Sequence, residues 1–503
     1  MKLLEKNKIL KKNCLFICFA DENIGVGHLF RSQILTKSLK SFGWNNFLFG
    51  PNINQKKIIK KNLFKKIFYS NSENKNKLLD KLNNDIYDII KKNKINLVVI
   101  DSYLIDDEFQ KKIKDKLILK ISSRKKNNKY CDLVLNYSFN LKTPNSDSKY
   151  LIGPKYCLVE NKIKKIKKTK TKKILITFGG SNTLIQFENT FQVLKKELPT
   201  YKIYVSTPSA DLYKNLKKKL IGVKIVLSTN LSKTIVRYNF DFIISSAGHT
   251  MYELIANNLP SLFVGIFKNQ YANISYLKKT GRAKALIYNN YSYNRELRTF
   301  LKEYKKDDKT FNLNKKISFE INFNGSEEIA KILDFKFFKR FTNLLPVLYT
   351  KRLKLIPLKK ENILVQFYLR QKIEMNKKIF KINKRLLISE HMNWFRGTFE
   401  KKLINYLIFE KKAKKFIGVT NFKISSDELI MGKFISDPLF LGKKYGFEAA
   451  NKWVTFGINE LGYKKISAIT NKKNVININL NKKLGFKIIN NNDLWIKMIY
   501  KYK

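Results

Sequence analysis

The sequence predicts an α/β protein in three parts: two parallel-sheet halves followed by a separate α+β domain. Three observations carry this. Over the first two-thirds of the 503 residues, short apolar runs alternate with amphipathic stretches, a pattern that builds parallel sheets covered on both faces. The basic run 161–173 falls midway, where a new strand begins, and divides this region into two similar halves with a ligand cleft expected between them. Near 335 the pattern changes and restarts over roughly 150 residues, a usual domain length. The expected parts are 1–160, 161–335, a connector over 336–349, and 350–503.

The strand candidates follow in order: CLFICFA (14–20), INLVVID (95–101), DLVLN (132–136), KILITFG (173–179), KIYVST (202–207), DFIISS (241–246) and SLFVGI (261–266). After the first, HLFRSQILTKSLKSFG places Leu29, Ile34, Leu35, Leu39 and Phe42 along one helical face, with Gly43 as a stop. FKFFKRFTNLL reads as an apolar, basic connector. YTKRLKLIPLKKENI (349–363) then starts a new strand and a turn into a helix. Further on, LGKKYG (441–446) opens the helix FEAANKWVTFGINELG, the strand KKISAIT follows, and a short helix ends in KKLGF.

An apolar content of 44% and an aromatic content of 13% exclude a disordered chain. The formal charge is +62, and runs such as KKIKKTKTKK (164–173) suit nucleic acid or anionic lipid. The lysines are spread along the whole chain among Asn and Ile, which reads instead as solvated faces. No nucleic-acid-binding signature accompanies them, so no specific nucleic-acid partner is expected. Cys14, Cys18, Cys131 and Cys157 lack CxxC spacing and His neighbours, as buried free thiols of a reducing cytoplasm do. CLFICFA is short and leads directly into a glycine motif, so it reads as a first strand rather than a signal peptide. No apolar run approaches the ~20 residues of a membrane span. A cytoplasmic protein without membrane insertion is expected.

The chemistry begins at NIGVGHLFR (23–31), where Gly25 and Gly27 precede His28 and Arg31 follows. A strand that ends in Gly-x-Gly and opens a helix exposes backbone N–H groups beside a partial positive charge. An anion can approach there, and His28 can serve as a base; a tight turn with an incidental polar residue is the alternative. ILITFGGSN (174–182) ends a strand in Gly179, Gly180 and Ser181, a second nest of donors for phosphate. In FIISSAGHTMYELIANNLPSLFVGIFKNQ (242–270) a strand ends near Ser246 and Gly248, and a helix follows. Glu253, about one turn in, can accept both hydroxyls of a ribose, or is a solvated helix-start glutamate. His249 is a loop-lining, UDP-contacting or capping residue, with a catalytic role as the alternative, and Asn269 and Gln270 cap the next strand toward the same cleft.

Taken in order, AD…IGVGHLFRSQILTKSL, VVIDSYLID, LVLN, YLIGPKYCLV, ILITFGGSN, SSAGHTMYELIANNLPSL and KNQ make residues 14–335 resemble the UDP-sugar hydrolases of pseudaminic acid biosynthesis. These are relatives of the GT-B glycosyltransferases, so the resemblance implies a GT-B-like pair of Rossmann-type halves. It further implies release of UDP from a 2,4-diacetamido-2,4,6-trideoxy-L-altrose derivative, without metal and with inversion at the anomeric carbon. His28 is then the general base that activates water. Asp21 and Tyr103 match positions near the sugar, Gly180 and Gly248 the pyrophosphate cradle, Glu253 the ribose contact, and Asn269 a polar contact near the sugar. Phe19 and Ser102 stand where the family usually has arginine and often histidine, and His249 replaces a small residue. The first two changes imply a shifted sugar preference.

MGKFISDPLFLGKKYGFEAANKW (431–453) offers a strand ending near Ile435, a loop with Gly442, Lys444 and Gly446, and a helix from about Tyr445. A site for acetyl-CoA needs these parts: N–H groups for pyrophosphate and a splayed strand for pantetheine. With Asn474 after the next strand and LGF at 484–486, the region resembles the GNAT acetyltransferases. RLKLIPL and ISEHMNWF (388–395) are similar to the amino-sugar N-acetyltransferase of the same pathway, over about residues 350–500. The resemblance implies acetyl-CoA as cosubstrate. Lys444 occupies the usual second glycine of the loop, and Asn481 the position where many GNAT enzymes carry a tyrosine that protonates the departing thiolate. His391 and Glu390 are either amine-side bases or helix-start residues. Together the two resemblances imply a bifunctional enzyme that acetylates a UDP-4-amino sugar and then removes its UDP. A glycosyltransferase, a noncatalytic sugar-nucleotide-binding module beside an active acetyltransferase, and an inactive acetyltransferase are the alternatives.

Overall fold

The computed structural model describes residues 12–20, 27–52, 56–69, 78–102, 104–122, 128–139, 149–160, 171–180, 182–228, 230–281, 283–306, 321–374, 386–425 and 427–501. The chain divides into two compact units that meet in sequence at Leu333 and Asp334.

The first unit holds two sheets. One contains β1 (Asn13–Ala20), β2 (Asn45–Pro51), β3 (Lys66–Phe68), β4 (Leu97–Asp101), β5 (Leu117–Ile121), β6 (Leu133–Asn136) and β7 (Tyr150–Ile152), in the order β3-β2-β1-β4-β5-β6-β7. The other contains β8 (Lys173–Thr177), β9 (Lys202–Thr207), β10 (Lys224–Leu227), β11 (Phe242–Ser246), β12 (Ser261–Gly265) and β13 (Lys284–Ile287), in the order β10-β9-β8-β11-β12-β13. Every pairing in both is parallel. Continuous apolar runs such as LVVID in β4 are buried along their whole length, as strands covered on both faces must be. In each sheet the order turns back beside its first strand, between β1 and β4 and between β8 and β11. Ligands of open parallel sheets bind outside the strand C-termini at such points. Two sheets of this order in one unit make the expected GT-B-like pair of Rossmann-type halves.

The second unit is α+β. It contains β14 (Leu348–Tyr349), β15 (Leu353–Pro357), β16 (Leu403–Glu410), β17 (Lys415–Ile424), β18 (Leu429–Ile435), β19 (Lys465–Asn471), β20 (Lys487–Asn491) and β21 (Trp495–Lys501), ordered β14-β15-β16-β17-β18-β19-β21-β20. The pairings are antiparallel except β18 with β19, which is parallel and runs only from Leu429/Ile466 to Met431/Ala468. Trp453 of the helix Tyr445–Asn459 anchors the core and stacks on Phe422 of β17 at 4.4 Å.

The connector expected over 336–349 has regular structure: one helix runs from Gly325 to Asn343, and β14 lies at Leu348–Tyr349. In FKFFKRF, Phe338 and Phe341 lie three residues apart and enter the core of the second unit, so helical spacing wins over basic composition. The sequence reading also passed over β2, β3, β5, β7, β10 and β13, which are short or flanked by lysine and asparagine. The four cysteines are buried and none is in a disulfide. Among the described residues no helix is long and apolar enough to cross a membrane.

Candidate functional site

The helix Gly27–Ser41 follows β1 and carries His28 in its first turn. β1 pairs with β4 so that Cys18 stands opposite Asp101, the last residue of β4. This register sets a carboxylate that is 1% exposed beside the helix start. His28 Nδ1 lies 2.7 Å from Asp101 Oδ1 and 3.1 Å from the Asp101 carbonyl oxygen. Both neighbours accept, so Nδ1 carries the proton and Nε2 the lone pair. Arg31 Nη2 also approaches Nδ1, at 3.2 Å, but the shorter contact to an ionised carboxylate decides the tautomer. Arg31 donates from Nε to Asp101 Oδ2 at 2.5 Å and from Nη2 to Oδ1, a two-pronged charge-assisted pair. Burial pushes the Asp101 carboxyl up, but the Arg31 guanidinium and His28 outweigh it and hold the group well below the usual carboxylate range.

The second half contributes from the ends of β8, β11 and β12. Gly179 adopts φ +88, a left-handed conformation that favours glycine, and its carbonyl accepts from the Thr207 hydroxyl at 3.1 Å. Ser246 ends β11, and Gly248 precedes the helix His249–Ala256 without any side-chain cap. The leading N–H groups of that helix are therefore not taken by a capping side chain. Gln270 Oε1 accepts from the Ile266 N–H at 2.9 Å and so holds the turn after β12, while Asn269 is exposed. Burial, then the charge of Glu160, raises the Glu253 carboxyl to about 7 against the pull of Lys60. His249 Nε2 lies 3.7 Å from Glu253 Oε1. Burial, then the charge of Arg31, lowers the His249 imidazole to about 3, so the ring is neutral and the contact is no ion pair. Tyr137, after β6, accepts from Arg31 Nη1 at 3.3 Å, and its hydroxyl lies 3.4 Å from His249 Nδ1. It thus joins the acidic end of one half to the glycine end of the other.

Gly27, His28, Arg31, Gly179, Gly180, Ser246, Gly248, His249, Glu253, Asn269 and Gln270 all line one cleft of about 480 Å³, within the usual range for small-molecule sites. Asp21, Gly25, Tyr103 and Ser181 lie outside the described residues. Phe19 and Ser102, which stand where the resembled family usually has arginine and often histidine, do not line the cleft. Phe19 packs edge-on against Phe49 in the core, and the Ser102 hydroxyl accepts from the Leu104 N–H at 3.0 Å. Sequence reasoning missed Asp101 and Tyr137 as site residues. The available signal for Asp101 was a charged residue closing the apolar run VVID at a strand's C-terminal end.

In the second unit, Gly442 and Lys444 both have left-handed backbone, at φ +75 and φ +65. This explains why a glycine suits position 444, and the lysine there is exposed rather than clashing. No side chain caps the helix that starts at Tyr445. A Cβ built on Gly446 would come no closer than 3.7 Å to Leu480 and 3.8 Å to Ile435. Tyr445 lies under the Arg352 guanidinium at 4.1 Å, and Arg352 is paired with Glu448 at 2.6 Å. Asn474 caps its own helix by accepting from the Asn477 N–H at 3.1 Å. The uncapped helix start and the edge of β18 beyond Met431, where its pairing with β19 ends, fit the pyrophosphate and pantetheine of acetyl-CoA. Glu390 Oε2 accepts from the Leu387 N–H at 3.3 Å, a cap. His391 is 0% exposed and stacked on Trp394 at 5.2 Å, and burial with the charge of Arg370 lowers it to about 4.

Residues 352–487 match the acetyltransferase (GNAT) domain family. The second unit carries a GNAT acetyltransferase domain. Such domains use acetyl-CoA, in agreement with the fit above. Over most of its length the chain is similar to Uncharacterized protein MJ1062 of Methanocaldococcus jannaschii, with 27% identity over 501 residues that cover 92% of this chain and 94% of that one. Among solved structures, MurG of Acinetobacter baumannii is similar over 64% of this chain and 99% of its own, with 13% identity and a TM-score of 0.45. The N-acetyltransferase PseH of Campylobacter jejuni is similar over 30% of this chain and 99% of its own, with 18% identity and a TM-score of 0.24.

Proposed function

We propose that the chain is a bifunctional enzyme of nonulosonic acid biosynthesis. In this reading the GNAT domain N-acetylates a UDP-linked 4-amino sugar, and the first unit hydrolyses the resulting UDP-2,4-diacetamido-2,4,6-trideoxyhexose. The observation that supports hydrolysis best is the ordered array of Asp101, His28 and Arg31 in a cleft whose other wall is two glycine-ended strands. Asp101 fixes the His28 ring and its tautomer, so that Nε2 takes a proton from water as the oxygen bonds to the anomeric carbon. The anomeric C–O bond breaks with inversion, and UDP departs with the electron pair. Because UDP is an acidic leaving group, no protein acid is required, unlike the glycosidase case. Gly180 and the start of the helix His249–Ala256 cradle the pyrophosphate, Glu253 receives the ribose hydroxyls, and Asn269 lies toward the sugar. By the resemblance, Asp21 and Tyr103 are assigned to the sugar, and metal takes no part.

In the GNAT domain, acetyl-CoA supplies the acetyl thioester. Gly442, Lys444, Tyr445 and Gly446 form its phosphate loop and Ile435 lies along its arm. Full-length protein given the diacetamido UDP-sugar without any acceptor should release UDP and free sugar. UDP release that appears only when an alcohol acceptor is added would instead make the first unit a glycosyltransferase. UDP binding without turnover would make it a binding module.

A further inference from the structure

We propose that Lys433 is the general acid of the GNAT domain, protonating the sulfur that leaves as the acetyl group passes to an amine. The inference deepens the acetyltransferase reading and rests on it. β18 and β19 are paired only as far as Met431 and Ala468; beyond these residues the strands part. Residues 431, 433 and 435 share one face of β18. At its inner end Met431 belongs to the core around Trp453, and at its outer end Ile435 approaches Gly446 at the start of the helix Tyr445–Asn459. Lys433 lies between them. A thioester arm whose phosphates rest on the 442–446 loop, and which follows the open edge of β18 inward, brings its sulfur to this lysine.

The surroundings of Lys433 suit a proton donor. Its ammonium is half-buried and donates to Asn481 Oδ1 at 2.7 Å. Asn481 is 0% exposed and its amide donates in turn to the Thr470 hydroxyl at 3.4 Å. Among the described residues no carboxylate forms an ion pair with Lys433, and burial alone lowers its pKa to about 8. A desolvated cation without a counter-ion is costly by itself, and a nascent thiolate supplies the missing charge. Its acidity is also close to that of a thiol near 8.5, where proton transfer works best. Asn481 has no acidic proton, but it holds the lysine on the facing strand at its own position. In the step, the amine nitrogen bonds to the acetyl carbon and the C–S bond breaks. Sulfur keeps the electron pair and takes the Lys433 proton. The amine's proton and the one that recharges Lys433 exchange with solvent.

Two measurements on the full-length protein test this. The first needs no sugar: the thiol of bound CoA is titrated by the difference absorbance of its thiolate, with free protein as the blank. The protein's own cysteines stay silent because burial pushes all four thiols up. In wild-type protein the bound thiol should ionise about ten-fold more readily than in Lys433→Met, a charge effect of a common size. In the second, acetyl transfer to the UDP-linked 4-amino sugar should fall about 100-fold in kcat in Lys433→Met, with KM for acetyl-CoA little changed. The loss of rate above pH 8 in wild type should vanish, and adding Asn481→Tyr should restore part of kcat. An unshifted thiol titration, or a kcat within two-fold of wild type, overturns the role. If wild type fails to acetylate this sugar while the thiol titration shifts as expected, the substrate reading fails and the lysine assignment stands.

Discussion

The pair between Arg31 and Asp101 decides what His28 can do. Because both carboxylate oxygens are engaged by the guanidinium, the carboxylate cannot rotate, and the His28 ring follows it. Asp101→Asn should therefore lower UDP release by about 100-fold, through a disturbed tautomer, with little change in UDP affinity. The same residue carries a pH signature. Its folded-state acidity is stronger than in the unfolded chain, so its stabilisation is fully present above the unfolded value near 4. It is lost as pH falls below that value. Urea unfolding should show a gap between wild type and Asp101→Asn at pH 7 that narrows below pH 4; a gap that widens in acid would contradict the pairing. Glu253 behaves oppositely, since burial lifts it to about 7. If it receives ribose hydroxyls as a carboxylate, UDP affinity should weaken as pH falls through about 7, over and above the pH dependence of Glu253→Gln. Identical pH profiles for the two proteins would remove the ribose role.

At the scale of elements, each site is set by where strands end. β1 and β4 deliver His28 and Asp101, β8 and β11 deliver the two glycine turns, and the parting of β18 from β19 opens the GNAT domain's edge. The glycine motifs were legible in the sequence because turns and helix starts demand particular residues at short spacing. Asp101 was not, because its partner His28 is 73 positions away and only the β1–β4 register joins them. Lys433 was hidden for another reason: in a chain with 101 Lys and Arg, one more lysine carries no signal until its burial is known. The helix through FKFFKRF was masked by its basic composition, while its phenylalanines keep helical spacing. The loop before the helix Tyr445–Asn459 gives a direct prediction. Lys444 holds a left-handed backbone that costs a side chain ~1–2 kcal/mol, partly offset by the greater unfolded freedom of glycine. Lys444→Gly should raise stability by about 0.5–1 kcal/mol in urea unfolding, and a loss of stability would contradict the cause given for the usual glycine.

For the whole molecule, the division near Leu333 separates the two-sheet unit from the GNAT domain, and in the proposed function the two act on one sugar nucleotide in turn. Each unit has its own core and its own strand ends, so damage to one site should leave the other working. The proposed function sets the order: acetylation of a free amine on the UDP-sugar comes first, and hydrolysis then removes the UDP. The most direct measurement supplies full-length protein with the UDP-linked 4-amino sugar and acetyl-CoA, and records free thiol and free UDP separately. Wild type should release thiol and then UDP, and His28→Ala should release thiol at the wild-type rate with UDP release abolished. UDP release that persists in His28→Ala, or thiol and UDP release that fall together while the fold is preserved, would contradict the account.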